Sequence, residues 1–152
     1  MKKAILITAL VSLGFASSLL PNSFAGCVAL NYFSANNAPL PLNDYMKIVK
    51  KYDCDNKILY IGIEDRIPGI LKLKENKNSK DFLIDHFTVN GYEAAVYVDK
   101  HLNQGVIAIK LTDKYALKVL FNGSDYKSII PSLKKLDLNK IKENLKESKS
   151  SS

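Results

Sequence analysis

Apolar and polar side chains alternate most sharply between Asp81 and Phe121, where the chain reads as four consecutive strands of one antiparallel sheet. The runs DFLIDHFTV and YEAAVYVD flank Asn90-Gly91, a pair that tolerates positive φ at both centres of a type I′ turn. Such a turn sets Val89 opposite Tyr92, Phe87 opposite Ala94 and Leu83 opposite Val98. One face then carries Leu83, Phe87, Val89, Tyr92, Ala94, Val96 and Val98. Phe82, His86, Thr88, Glu93 and Tyr97 share the other, a composition suited to a partly wet surface. Asp85 breaks the pattern by falling among the apolar set. It marks either a bulge in the strand or a carboxylate held in a pocket, where its pKa would rise or a lysine would pair with it.

The next pair, VIAIKL and YALKVLF, is separated by Thr112-Asp113-Lys114. A two-residue loop would mix lysines into an apolar face. A three-residue loop places Leu111, Ile109 and Ile107 beside Tyr115, Leu117 and Val119, with Lys110 and Lys118 together on the outer side. A one-residue slip flips every side chain, so the second register is the expected one.

Upstream, Lys57–Ile63 reads as a strand by its β-branched and aromatic content, and Cys27–Phe33 as a shorter one. Tyr45, Met46, Ile48, Val49 and Tyr52 recur at helical spacing after Asn43 and Asp44, which predicts a helix over 44–52. Pro68-Gly69 forces a turn, Ile70–Leu73 reads as a weak strand and Glu75–Lys80 as a solvated loop. Downstream, Ser124 can cap a helical turn, Pro131 interrupts it or opens the next helix, and Asp137 can cap a last helix lined by Leu138, Ile141 and Leu145. The expected fold is therefore α+β: an antiparallel meander of five to six strands, with an N-terminal helix and C-terminal helices packed on one face.

The first 25 residues have a different composition. Lys2 and Lys3 precede an apolar run from Ala4 to Leu20, then Pro21 and the small-residue site Ser23-Phe24-Ala25. That order is a bacterial-type secretory leader. The expected division is a leader at 1–25, one domain at 26–147 and a polar tail at 148–152, which places the protein in the periplasm or outside the cell. Lys2 and Lys3 would leave with the leader, so 20 basic side chains would face 15 acidic ones and the charge would fall from +7 to +5. A moderately basic surface favours anionic partners over cationic ones. Basic residues are not interleaved with aromatics as a nucleic-acid interface requires.

Cys27 and Cys54 are the only cysteines. In an oxidising compartment an even count predicts a disulfide between them, worth about 3–4 kcal/mol by loop entropy. The competing reading is that Phe24-Ala25-Gly26-Cys27 resembles the lipobox of bacterial lipoproteins, with Cys27 acylated and the protein held at a membrane.

The motifs of nucleophilic catalysis, phosphate binding and dinucleotide binding are absent from the sequence. The acidic neighbours of Cys54 disfavour a thiolate. His86 and His101 do not converge with Asp85 and Asp99 in this register, so no metal site or cofactor is expected. The function expected is a non-enzymatic binding or envelope-accessory module, meeting an unknown envelope component or protein. Its candidate contact residues are Phe82, His86 and Tyr97 on the outer sheet face and Lys140, Lys142 and Lys146 on the last helix. The alternatives are the Cys27-anchored lipoprotein and a small exported hydrolase using Asp85 and His86.

Overall fold

A computed structural model describes residues 20–30, 46–54, 57–123 and 125–150. They form one nine-stranded sheet: β1 (Ser23–Phe24), β2 (Cys27–Ala29), β3 (Met46–Cys54), β4 (Lys57–Glu64), β5 (Lys77–Asn78), β6 (Phe82–Val89), β7 (Tyr92–Asp99), β8 (Gln104–Lys110) and β9 (Ala116–Asn122). The spatial order is β1-β2-β3-β4-β9-β8-β7-β6-β5, and every neighbouring pair is antiparallel. The expected single meander of five to six strands is therefore two meanders, β1–β4 and β5–β9, fused along β4 and β9. The fusion obliges the chain after β4 to cross to the far edge of the sheet before β5 begins.

The central hairpins follow the register read from their turns. Asn90 and Gly91 both have positive φ (51° and 86°), as a type I′ turn needs. Phe82–Val89 pairs with Tyr92–Asp99 without interruption. Asp85 thus occupies its regular place opposite Val96, and the expected bulge does not occur. In β8 and β9, Ile107 and Ile109 lie opposite Val119 and Leu117, and Leu111 N–H donates to the Tyr115 carbonyl at 3.0 Å.

Two assignments upstream are corrected. Residues 46–54 form β3 rather than the C-terminal part of a helix; Asn43, Asp44 and Tyr45 lie outside the described residues. Alternation in KIVKKYD also fits period two, and pairing with β4 satisfies the backbone of both strands. Ile70–Leu73 is not a strand. Gly69–Lys72 is a single helical turn, α1, entered from extended Pro68. Its one turn lies within the crossover between β4 and β5.

After β9, a 3₁₀ turn (Tyr126–Ser128) leads to α2 (Ile130–Lys134), with Pro131 in its first turn, and to α3 (Leu138–Ser150). Asp137 Oδ1 accepts the Lys140 N–H at 3.1 Å, the capping bond its position suggested. Leu138, Ile141 and Leu145 are buried against one face of the sheet, with Leu133 and Leu136. That face carries Ile61, Ile63, Val96, Val98, Ile107, Ile109, Leu117 and Val119, all fully enclosed. Gly105 faces the same core, where a Cβ would come within 2.4 Å of the Phe121 ring, so no larger residue fits without moving that ring.

A disulfide joins Cys27 to Cys54 across β2 and β3, with Cα atoms 4.5 Å apart. It is the bond that the even cysteine count predicts. Among the described residues no helix is long and apolar enough to cross a membrane. The disulfide is consistent with export.

Candidate binding groove

The outer face of the sheet is wet in part, with Thr88 and Glu93 exposed, and covered in part. The crossover carrying α1 lies over it, and the strands beneath present small side chains. Ala95, Ala108 and Ala116 are fully buried and pack with Leu71, Ile67 and Ile70. Alanines let a backbone segment lie close to a sheet, where larger side chains would hold it away.

His86 holds this crossover in place. Its Nε2 faces the Ile70 carbonyl at 3.0 Å and its Nδ1 faces Asn76 Oδ1 at 2.6 Å. His86 is therefore engaged with the crossover.

Beside α1, where the cover ends, the outer face opens into a groove of about 390 Å³. Pro68 and Ile70 form one wall, Val106 and Leu120 the floor, and Tyr97 and Leu102 the opposite side. Phe82 stacks on Tyr97 with ring centroids 5.9 Å apart and planes 20° from parallel, extending that side. Leu102, at 71% exposure, stands at the rim. The loop that carries it is set by Asp99, whose Oδ1 accepts the backbone N–H groups of His101 and Leu102 at 2.9 and 3.0 Å.

Lys118 also borders the groove. It is almost fully buried, and its Nζ lies 2.5 Å from Oε2 of Glu64, itself inaccessible to solvent. Arg66 reaches the other oxygen, Nε to Oε1 3.4 Å, from a half-exposed position. Register alone placed Lys118 on the outer face beside Lys110. Its burial follows from the crossover, and its partner from the β4–β9 pairing, which sets Glu64 beside Ala116 and Gly62 beside Lys118. The groove thus has an apolar lining and an internally neutralised ion pair at its base.

The other candidate residues fall elsewhere. Asp85 and His86 are consecutive in β6 and project from opposite faces of the sheet, so the pair proposed for hydrolysis shares no cleft. Asp85 accepts a hydrogen bond from the Tyr126 hydroxyl and borders a separate cavity of about 470 Å³ with Lys77 and Lys127. Burial, and then the hydrogen bond and charge of Asp85, push the Tyr126 phenol up to about 12.

His101 pairs with Asp81 at 2.6 Å in solvent. Among the described residues no three His, Cys, Asp or Glu side chains gather as a metal site. Lys140 and Lys142 lie on α3, on the opposite side of the sheet from Tyr97, and Lys142 Nζ sits 5.9 Å from the Tyr92 ring centroid. The Lys146 side chain lies outside the described residues.

Of the six residues picked as a binding set, Tyr97 lines the groove with Phe82 stacked on it, His86 touches its cover, and Lys140 and Lys142 are remote. The groove's other walls were not foreseen, because Ile70 and Val106 carry no chemical signature and are joined only by the crossover. Comparison with protein-family models, curated proteins and solved structures finds no match to this chain.

Proposed function

We propose that the protein is an exported, non-enzymatic binding module and that the groove beside α1 is where it binds an uncharged apolar or aromatic portion of an envelope component. The observation that carries this reading is the pairing of Lys118 with Glu64 beneath an apolar lining. A free buried ammonium would select an anionic ligand, whereas a paired one offers no net charge for a ligand to neutralise. Tyr97 and Phe82 supply flat apolar area at low cost in side-chain entropy. The cavity falls in the size range of small-ligand sites.

The reading is tested with N-phenyl-1-naphthylamine, a neutral apolar fluorophore whose emission rises on leaving water. The protein should enhance its fluorescence saturably, with little change between low and high salt. Gly69 lines the groove, and a Cβ there meets no atom within 4 Å. Gly69→Trp should therefore occupy the groove and weaken binding at least tenfold while the fold persists. Joint replacement of Lys140, Lys142 and Lys146 by Ala should leave binding unchanged. Loss of binding in the lysine variant, with Gly69→Trp unaffected, would move the site to α3 and to an anionic partner.

A further inference from the structure

The hairpin β1–β2 bears on where the leader ends. Ser23-Phe24-Ala25 satisfies the small-residue rule for cleavage, but these residues are part of the folded sheet. Phe24 pairs with Cys27 and Ser23 with Val28, and Ala29 N–H donates to the Asn22 carbonyl at 2.7 Å. Leu20 and Phe24 are buried in the main core, and the Phe24 ring lies 6.1 Å from that of Tyr52. The Tyr52 hydroxyl donates to the Pro21 carbonyl at 2.6 Å, and Lys50 Nζ donates to the Leu20 carbonyl at 3.0 Å. Ala25 and Gly26, the bond that cleavage would break, form the exposed turn of this hairpin with φ of 52° and 80°.

Removal of residues up to Ala25 would strip two core side chains, leave the enclosed Tyr52 hydroxyl without its acceptor and open the outer edge of β2. Buried polar groups left unpaired and apolar cavities both destabilise.

We infer that Leu20–Ala25, which carries β1, is retained in the mature domain and that the leader ends upstream of it, at Ala16. This rests on the export reading above. Gly14-Phe15-Ala16 places small residues at the same two positions relative to the cut as Ser23-Phe24-Ala25. It also leaves Ala4–Leu13 as the apolar stretch, a length within the usual range of a leader's hydrophobic region, which Ala4–Leu20 exceeds. The step is hydrolysis of the Ala16–Ser17 amide by a leader peptidase. Water supplies the new Ala16 carboxylate and the new Ser17 amino group, and the segment 17–25 stays with the domain.

The test is the intact mass of the full chain exported by a bacterial host, together with three variants. The mature protein should begin at Ser17, nine residues longer than a product beginning at Gly26. Ala25→Asn keeps a residue that accepts positive φ but removes the small side chain at the rival site. It should mature at the same bond as the parent. Leu20→Ala and Phe24→Ala should each lower the melting temperature of the mature protein, by about 5–15 °C for core truncations.

A mature chain beginning at Gly26, or melting temperatures indifferent to residues 20 and 24, overturns the inference and leaves the export reading standing. A chain that stays uncut from Met1 overturns the export reading and the cleavage together. In that case the melting shifts still report whether the hairpin is part of the fold.

Discussion

The two faces of the sheet are covered in different ways. Toward the C-terminal helices, large aliphatic side chains from five strands interlock with Leu133, Leu138 and Ile141, and the hydroxyls of Tyr52 and Tyr126 find partners within the enclosure. On the other face a single crossover with one helical turn lies on three alanines, encloses an ion pair and stops short of Tyr97 and Leu102. A face buried by helices is filled wherever side chain meets side chain, which leaves the Asp85 cavity at its edge. A face covered by a strip is sealed under the strip and open at its margin. The margin is where the groove lies.

The largest effect expected from this contrast is at the ion pair. Lys118→Met or Glu64→Leu alone should cost about 3–5 kcal/mol in urea unfolding, since each strands a buried charge. The double replacement should recover most of that loss. Single variants that cost no more than surface changes would show that water reaches the pair and that the crossover does not seal it.

On the helix side, Val96→Ala or Ile107→Ala should cost about 1–4 kcal/mol, and Phe87→Ala somewhat less than a fully buried phenylalanine because the ring is only partly buried. Thr88→Ala, exposed in the same strand, should stay within about 0.5 kcal/mol. Equal small effects at Val96 and Thr88 would invert the assignment of faces.

Gly105→Ala tests packing at a single point and should cost about 1–3 kcal/mol, because its Cβ displaces the Phe121 ring. Phe121→Leu in the same chain should return part of that cost. If Gly105→Ala is neutral, the ring has space to withdraw that a close-packed face would lack.

The smallest effect concerns pH. The Tyr126 phenol titrates higher in the folded chain than when unfolded, at about 12 against an ordinary value near 10. The folded state therefore holds a proton that the unfolded state releases. The resulting stability is complete below about pH 10 and declines as pH rises toward 12. Tyr52, buried and hydrogen-bonded to Pro21, shifts in the same direction through burial. Tyr126→Phe should make stability fall less steeply with pH in that window, by about one proton's contribution to the slope. An unchanged slope would detach Tyr126 from the alkaline limb.

Much of this fold was legible in the chain because its signals were local. Asn90-Gly91 dictates a turn, the turn dictates parity, and parity sorts the side chains of β6 and β7 into faces. The three-residue loop did the same for β8 and β9, and the spacing of Leu138, Ile141 and Leu145 marked the buried stripe of α3. The two cysteines, in a chain that reads as exported, likewise predicted their own bond. Residues 46–54 were illegible because KIVKKYD suits a helix and a strand alike. The pairing with β4 decides between them.

The functional surface divides along the same line. Alternation alone put Phe82, Tyr97 and Lys118 on the outer face. Whether an outer side chain is wet, buried or lining a groove depends on the path of residues 65–76 from β4, inside the sheet, to β5 at its edge. That path exists because β4 pairs with β9, joining Tyr60 to Leu120 across sixty residues. No turn or periodicity encodes a pairing of that range; it is selected by burial summed over the whole sheet. The sequence determined which side chains could meet on each face, and the closure of the sheet decided which of them were left uncovered.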